Sequence, residues 1–450
     1  MKYLFFFSLL CLAIPSFAQT IIKQDASIKQ MVDEVSSKNI EATIRKLVSF
    51  KSRHTLGDTT SKTEGVGAAR NWIKAEMEKY AETSGGRMKV QFDTFTQPKG
   101  ERVDRPYKLK NVLATLKGTD PKDTRVYIVS GHFDSRMSNV MDPNGFEPGA
   151  NDDASGTAVS MELARVMAKK SFPATIIFMC VVGEEQGLYG SANVAKRAKA
   201  EGWNIDAMLN NDIVGNTHGM ETDLKDNRSV RVFSEGVPSV ANEDKKMVAG
   251  LIALGGENDS PSRELARYVK EIGERYVDQL DVKLIYRRDR YLRGGDHTSF
   301  QLQGFTAVRF TEMNEDFTRQ HQDVRNENGI DYGDLPDFVD FNYAQKVARM
   351  NLSVLANLAT APSEPQNVGI VTGELTNKTT LKWETPKTGK KPAGYYVLMR
   401  ETISPYWEKK FYVTDNTATL AYSKDNYLFA VQSVDADGHE SLPVFPKPVK

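Results

Sequence analysis

The sequence has 450 residues, with 59 Lys and Arg against 59 Asp and Glu, 40% hydrophobic residues and only two cysteines. This composition is typical of a globular protein of two or three domains, and it excludes a disordered, collagen-like or membrane-bundle protein. A net charge of zero provides no long-range attraction for nucleic acid, and two cysteines cannot form a thiolate zinc site, so any metal must be bound by His, Asp and Glu.

Residues 1–18 have the pattern of a cleaved signal peptide. Lys2 precedes an apolar run from Tyr3 to Ile14, and small residues at Ser16 and Ala18 match a cleavage site. The run is too short to cross a membrane comfortably, and the rest of the chain has no apolar stretch of that length, so no membrane span is expected. We therefore predict an exported protein, periplasmic or extracellular.

From residue 27 to residue 358 the apolar pattern alternates between helical spacing and short extended runs. The predicted helices are 27–48, 64–81, 154–169, 188–200, 262–278 and 338–358, and the predicted strands are 90–95, 111–116, 126–129, 175–182, 207–211, 230–234, 282–286 and 307–310. Strands that alternate with helices form a sheet covered on both faces. The predicted fold class is therefore α/β, an αβα sandwich with a mixed, largely parallel sheet.

The pattern changes after the linker 361–365. Apolar residues then alternate with a period of two, as in Leu381 and Trp383, and turn residues separate the runs. This pattern predicts a small C-terminal antiparallel β-sandwich over 366–450, and its aromatic positions are similar to those of a fibronectin type III domain. The larger α/β domain is predicted over 19–360.

Polar clusters follow the predicted strands of the α/β domain. They are Gly131-His132-Phe133-Asp134, Asn151-Asp152-Asp153, Gly183-Glu184-Glu185, Asn211-Asp212 and Gln320-His321-Gln322. Because the carboxyl ends of parallel strands meet at one edge of a sheet, we expect two imidazoles and several carboxylates to lie together. Burial of that much negative charge requires a counter-ion, and the donor set suits Zn²⁺, with Mn²⁺ or Co²⁺ as substitutes.

Each cluster by itself has a simpler interpretation. Asp152 could cap a helix, Glu184 and Glu185 could lie in a solvated loop, and His132 could be a structural histidine. The combination favours a metal site. Together, the motifs resemble the co-catalytic zinc exopeptidase family of the bacterial leucyl aminopeptidases, whose members include glutamate carboxypeptidase II.

The resemblance implies two zinc ions per chain in a zinc exopeptidase domain over 19–360. By motif, it implies that His132 and Asp212 bind one ion, that Glu185 and His321 bind the other, and that Asp152 bridges the two. Glu184, beside a ligand but not one itself, would be the general base that takes a proton from the attacking water.

Four further residues are predicted to support these ligands. Asp134, two residues after His132, is placed to accept the second N–H of that imidazole. Asp153 would shape the turn at Asp152. Asp296 and His297 belong to a motif that resembles one near the site of the family, which implies that they support His321 or line the pocket. The remaining histidines, His54, His218 and His439, are interpreted as surface residues.

The predicted function is that of an exported metallo-aminopeptidase, which removes the N-terminal residue of peptides. A carboxypeptidase or other amide hydrolase on the same core is an alternative, because Arg136 and Arg293 lie near the motifs and could bind a substrate carboxylate. A glutaminyl cyclase would use one zinc, which fits the five ligands less well. A catalytically dead, peptidase-like binding ectodomain would be expected to lack ligands or the base. Peptides are the expected partners, and the oligomeric state is not predicted.

Overall fold

A computed structural model describes residues 22–239, 245–373 and 375–450. The predicted signal peptide over 1–18 lies outside these residues. Within them, none of the helices combines the length and the apolar character needed to cross a lipid bilayer.

The described part of the chain contains nine α-helices. They are α1 (Ala26–Glu34), α2 (Ser37–Val48), α3 (Gly65–Glu82), α4 (Ala154–Met167), α5 (Tyr189–Ala200), α6 (Lys245–Leu254), α7 (Pro261–Tyr276), α8 (Asp296–Gln301) and α9 (Phe341–Thr360). The prediction of a single helix over 27–48 was wrong, because the chain leaves the helical conformation at Val35 and Ser36. The Ser36 hydroxyl accepts the Asn39 N–H at 3.3 Å and so begins a second helix.

Eight strands form the main sheet, in the order β1-β2-β4-β3-β5-β8-β6-β7. They are β1 (Met88–Gln97), β2 (Tyr107–Leu116), β3 (Arg125–His132), β4 (Thr175–Val181), β5 (Asn204–Asn211), β6 (Ser229–Phe233), β7 (Asp281–Ile285) and β8 (Ala307–Glu312). The central strands β4, β3, β5 and β8 are parallel, whereas β1 and β2 pair antiparallel at one side. The predicted mixed sheet is confirmed.

Each central strand is buried on both faces of the sheet. In β4, Ile176, Phe178 and Cys180 pack in one hydrophobic core, which also contains apolar residues of α1–α4, α7 and α9. Ile177 and Met179 point to the opposite face and pack with apolar residues of α5 and α8. The period-two alternation of an all-apolar strand therefore builds both interfaces of the αβα sandwich. Cys180 is a free, buried thiol, as expected, and burial raises its pKa, which disfavours the reactive thiolate.

Seven C-terminal strands form two smaller sheets. The strands are β11 (Gln366–Val371), β12 (Thr379–Glu384), β13 (Gly394–Glu401), β14 (Lys409–Val413), β15 (Thr417–Leu420), β16 (Tyr427–Val434) and β17 (Lys447–Val449), and a separate hairpin of β9 (Arg325–Glu327) and β10 (Ile330–Tyr332) precedes α9. Trp383 of one sheet packs edge-on against Tyr395 of the other, with ring centroids 5.3 Å apart. The two sheets share one core, and their pairs are antiparallel except β11 with β17. The fibronectin-type similarity and the exact boundaries stay predictions.

A buried ion-pair network attaches these sheets to the α/β domain. Arg400 of β13 donates two hydrogen bonds to Asp259, at 2.7 and 2.9 Å, and Arg267 of α7 pairs with the same carboxylate at 2.9 Å. Trp407 donates to Glu264 of α7 at 2.8 Å. Because these charged groups are buried, each depends on its partner for compensation of the lost hydration.

We expect Arg400→Met to lower the free energy of unfolding by about 1.5–3 kcal/mol, the range for hydrogen bonds to charged groups. The loss is partial because Asp259 retains Arg267. Urea unfolding measures it, with Lys382→Met as the matched control, since Lys382 is an exposed residue of β12 and should change stability by less than about 0.5 kcal/mol. Equal stability of the two variants would contradict the role of the network.

Candidate metal centre

The carboxyl ends of the parallel strands bring the predicted ligands together. His132 is the last residue of β3, Asp212 follows β5 directly, and Glu185 lies in the loop after β4. Asp152 precedes α4, and His321 lies in the segment that follows β8. All five side chains are buried or half-buried. This edge is where the topology of the sheet directs them.

The first group of ligand atoms surrounds His132. Its Nε2 lies 3.2 Å from Asp152 Oδ1 and 4.0 Å from Asp212 Oδ1. Its Nδ1 lies 3.1 Å from the backbone oxygen of Asp134. Because a carbonyl oxygen only accepts, Nδ1 carries a proton, and Nε2 is the nitrogen that faces the two carboxylates.

The second group surrounds His321. Its Nε2 lies 2.9 Å from Asp152 Oδ2 and 3.1 Å from Glu185 Oε1. Asp152 therefore presents one carboxylate oxygen to each group. In both groups, three possible ligand atoms lie within 4.8 Å of one another.

The two groups fit zinc. Tetrahedral zinc with bonds of about 2.0–2.2 Å to nitrogen and oxygen holds its ligand atoms roughly 3.3–3.6 Å apart. The separations of 2.9–3.2 Å within the groups are slightly shorter, and the 4.0 Å separation is slightly longer, so zinc requires only small shifts of the side chains. Histidine and carboxylate donors are also the chemistry that zinc accepts.

The charges of the centre are strongly coupled. Burial favours the neutral form of Asp152, but His321 and His132 outweigh it and hold the pKa of this carboxyl well below its usual range. Burial opposes the charged form of His321, but Glu185 and Asp152 outweigh it and raise its pKa to about 10. In the absence of an ion, the histidines act as the counter-charges of these carboxylates.

Glu184 lies beside the ligands without belonging to either group. Its side chain lines a cleft of about 330 Å³, together with the ligands Asp152, Glu185, Asp212 and His321. Burial raises the pKa of Glu184 well above its usual value, against the charge of His132, and the charges of Asp212 and Glu185 raise it further. A carboxyl group that is poised in this way can exchange a proton with a molecule bound in the cleft.

Asp134 and Asp153 connect the ligand loops. The side chain of Asp134 lies 3.5 Å from His132 Nδ1, farther than its own backbone oxygen, and it accepts the N–H of Glu185 at 3.3 Å. Asp153 caps α4 by accepting the Gly156 N–H at 2.8 Å, and it accepts the His132 N–H at 2.9 Å. A Cβ atom at Gly156 would overlap the Asp153 carboxylate, so the glycine permits this close packing.

Asp296 and His297 do not contact the ligand that they were predicted to support. Both are fully buried at the start of α8, and neither makes a hydrogen bond or ion pair with His321. His297 Nε2 lies 2.9 Å from the backbone oxygen of Arg288. The carboxyl oxygens of Asp296 have no hydrogen-bond partner, and burial raises its pKa to about 7. The prediction of support for His321 was wrong, and neither residue is among those that line the cleft.

The two predicted substrate-binding arginines both line the cleft. Arg136 contacts Glu185 Oε2 at 2.9 Å and His321 Nδ1 at 2.6 Å. Arg293 lies 3.2 Å from Glu315. Arg136 therefore touches the ligands themselves, whereas Arg293 is paired with Glu315, which is not one of them.

The sequence prediction missed three residues that hold the ligands. Arg309 of β8 is fully buried and lies 2.9 Å from Asp212 and 2.9 Å from Asp289. Gln320 donates to Asp152 Oδ2 at 3.0 Å, and Asp334 accepts the Asp152 N–H at 2.7 Å. Arg309 could have been identified from the sequence, because an arginine inside the apolar strand 307–310 needs a buried acidic partner. The sequence around Gln320 and Asp334 contains no comparable signal.

The other histidines divide differently from the prediction. His218 is exposed, as expected, but His54 and His439 are buried, so their interpretation as surface residues was wrong. His54 Nε2 lies 3.0 Å from the Val140 backbone oxygen. His439 lies 2.8 Å from Asp435, and the Lys390 ammonium already binds this carboxylate at 2.6 Å. The carboxylate of Asp435 is therefore already compensated by a cation of the chain, Lys390.

An αβα sandwich with two adjoining histidine and carboxylate groups at its central strand ends is the arrangement of a metal-dependent hydrolase. Comparison with known families refines this class. Peptidase family M28 matches residues 111–344, which is more than half of the sequence, and the chain belongs to this family.

Curated relatives match over almost the whole chain. A probable zinc metalloprotease of Leptosphaeria maculans is 47% identical over 425 residues, which cover 94% of this chain and 97% of the relative. A probable zinc metalloprotease of Pyrenophora teres is 46% identical over 94% of this chain and 87% of the relative.

Solved structures share the fold at low sequence identity. The LapA aminopeptidase of Legionella pneumophila has a TM-score of 0.53 at 20% identity, over 80% of each chain. An aminopeptidase of Aneurinibacillus sp. strain AM-1 has a TM-score of 0.52 at 16% identity, over 74% of this chain and 96% of that one. A glutaminyl cyclase of Macrostomum lignano has a TM-score of 0.51 at 16% identity, over 76% and 95%.

The buried carboxyl group of Asp296 should make the stability of the metal-free protein depend on pH. Because its pKa is raised to about 7, the folded state keeps a proton that the unfolded chain releases above about pH 4. Its contribution to stability is therefore present at low pH and lost as pH rises toward 7. We expect metal-free protein to lose less stability between pH 5 and pH 8 when it carries Asp296→Asn.

Thermal unfolding of chelator-treated protein at the two pH values measures this difference. Asp278→Asn is the control, because Asp278 is exposed and should leave the pH dependence unchanged. If Asp296→Asn showed the pH dependence of the unmodified protein, this carboxyl would not titrate as described.

Proposed function

We propose that the chain is an exported, zinc-dependent exopeptidase that uses two metal ions and Glu184 as general base. The observation that carries the proposal is the position of Asp152, whose Oδ1 faces His132 and whose Oδ2 faces His321. A carboxylate between two ligand groups is suited to bridge a pair of ions. The names of the curated relatives, probable zinc metalloproteases, support zinc as the metal.

Under this proposal, His132 and Asp212 hold one ion, Glu185 and His321 hold the other, and Asp152 contributes to both. Bound zinc would polarise the scissile carbonyl and lower the pKa of the attacking water. Asp134 would fix His132 and Glu185 relative to each other, since its backbone oxygen contacts His132 and its side chain accepts the Glu185 N–H. Arg309 would fix the carboxylate of Asp212.

Glu184 would move the proton of the reaction. Its side chain lines the same cleft as the ligands but belongs to neither ligand group, so it faces a bound substrate. The carboxylate would take a proton from the attacking water and deliver it to the nitrogen of the leaving amine. Two positive ions beside it would favour its ionised form, which the role of a base requires.

The two candidate functions differ in the end of the peptide that the enzyme recognises. Removal of the N-terminal residue is the expectation from the family resemblance. A carboxypeptidase is the second candidate, favoured by Arg136 and Arg293 on the cleft wall. A cyclase with one zinc, or a non-catalytic binding ectodomain, is less favoured because five ligand side chains and Glu184 are all grouped at one edge.

Replacement of the base should separate metal binding from catalysis. We expect Glu184→Gln to retain both zinc ions, measured by elemental analysis, and to lose at least 10²-fold in kcat, the usual contribution of general base catalysis. Glu221→Gln is the matched control, because Glu221 is exposed and lies outside the cleft. Full turnover in Glu184→Gln would remove this residue from the mechanism.

A substrate panel should identify the end that is recognised. We expect hydrolysis of peptides with a free N-terminus, loss of this activity with a chelator, and its return with zinc. Liquid chromatography of the products measures which bond is cut. Cleavage of N-blocked peptides alone, at the C-terminal bond, would replace the aminopeptidase with the carboxypeptidase.

A further inference from the structure

The cleft beside the metal ligands has an unusual charge. Among its lining residues are four arginines, Arg102, Arg136, Arg290 and Arg293, and four carboxylates. Three of these carboxylates, Asp152, Glu185 and Asp212, are proposed metal ligands, and the fourth is Glu184. If two divalent ions neutralise the ligands, Glu184 is the one carboxylate among these lining residues that is left to balance four guanidinium groups. This surplus would attract an anionic group on the substrate.

Two of the cleft arginines, Arg290 and Arg293, share one carboxylate with a third arginine that does not line the cleft. The carboxylate of Glu315 lies 2.8 Å from Arg231, 2.8 Å from Arg290 and 3.2 Å from Arg293. One negative charge cannot balance three guanidinium groups. Arg290 has a second partner in Asp289, at 3.3 Å. Arg293 has the longest contact with Glu315 and about one-third of its side chain is exposed, so it is more available to a ligand than Arg290.

Arg102 is also available to a molecule in the cleft. Its side chain is exposed, and its guanidinium donates to the backbone oxygen of Glu185 at 3.2 Å. Within the described ranges it makes no ion pair with a carboxylate. An arginine that contacts the ligand loop through a neutral carbonyl keeps its full charge for a molecule in the cleft.

Arg136 lines the cleft beside the ligands. Its Nε lies 2.9 Å from Glu185 Oε2 and its Nη2 lies 2.6 Å from His321 Nδ1. Within the described ranges, its Nη1 makes no hydrogen bond or ion pair. That nitrogen can donate to a carboxylate in the cleft.

We propose that Arg102, Arg136 and Arg293 bind a carboxylate on the substrate residue next to the scissile bond. Guanidinium groups suit this role because they bind carboxylates through paired, charge-assisted hydrogen bonds. The carboxylate could be the free C-terminus of a short peptide or an acidic side chain, which present the same chemistry. The inference rests on the proposed function for the position of the scissile bond.

Two pairs of substrates test the inference and distinguish the two sources. The first pair is Ala-Ala and its C-terminal amide, and the second is Ala-Glu-amide and Ala-Gln-amide. We expect kcat/KM of the zinc-loaded enzyme to be at least about 10-fold higher for the carboxylate member of one pair, as a charge-assisted hydrogen bond implies. A preference in the first pair identifies the C-terminus, and one in the second identifies the side chain.

Arg102→Gln and Arg293→Gln should each reduce this preference, and Arg105→Gln should not. Arg105 is an exposed arginine close to Arg102 in sequence that does not line the cleft. We expect kcat/KM to fall more for the carboxylate substrate than for its neutral partner, so that the ratio within the pair approaches one. Equal hydrolysis within both pairs, or a preference that survives in both variants, would overturn the proposal.

Binding separates this proposal from the proposed function. Calorimetry of the same peptides with zinc-loaded Glu184→Gln protein measures recognition without turnover. Tighter binding of a carboxylate peptide that is lost in the variant carrying both Glu184→Gln and Arg293→Gln supports the inference. This holds even if the unmodified protein hydrolyses no peptide. Absence of hydrolysis would overturn the proposed function alone. Equal affinity for both members of each pair would contradict the inference whatever the activity.

Discussion

Concentrated negative charge at one edge of the sheet is the constraint on which the rest of the centre depends. Asp152, Glu185 and Asp212 are all buried where the parallel strands end, within 4.8 Å of a histidine nitrogen. Buried carboxylates are unfavourable unless a cation or hydrogen-bond donors compensate them. The chain itself supplies only part of that compensation, through His132 and His321 and through arginines at the back. A pair of divalent ions would supply the remainder, and they would do so where Asp152 offers one oxygen to each.

The arginines around the centre follow from the same constraint, and they serve two different purposes. Arg309 is fully buried and pairs with Asp212 and Asp289, so it is committed to the structure of the ligand loops. Arg102 and Arg293 lie on the walls of the cleft, where partners are few or shared. The proposed metal ions shift the balance of the cleft toward positive charge. Substrate selection and metal binding would then be two consequences of one charge distribution, rather than two independent features.

The sequence predicted the sheet and the grouping of ligands well, because both depend on local patterns. All-apolar runs such as 175–182 mark strands buried on both faces, and polar residues directly after such runs meet at one edge. What it could not predict depends on contacts between distant segments. Helix α6 and the break at Val35 have no clear periodic signal, and Asp334 reaches Asp152 across 182 positions. The motif of Asp296 and His297 suggested proximity to His321, yet His297 contacts Arg288 and Asp289 instead.

The central claim is that this edge of the sheet binds two zinc ions bridged by Asp152. A crystal structure of the zinc-loaded protein, with anomalous data at the zinc edge, tests it most directly. The account predicts two peaks about 3.5–4 Å apart, the usual spacing of co-catalytic ions. One peak should lie between His132 and Asp212, the other between Glu185 and His321, with a different oxygen of Asp152 directed at each. A single peak, or two peaks that do not share Asp152, would contradict the account.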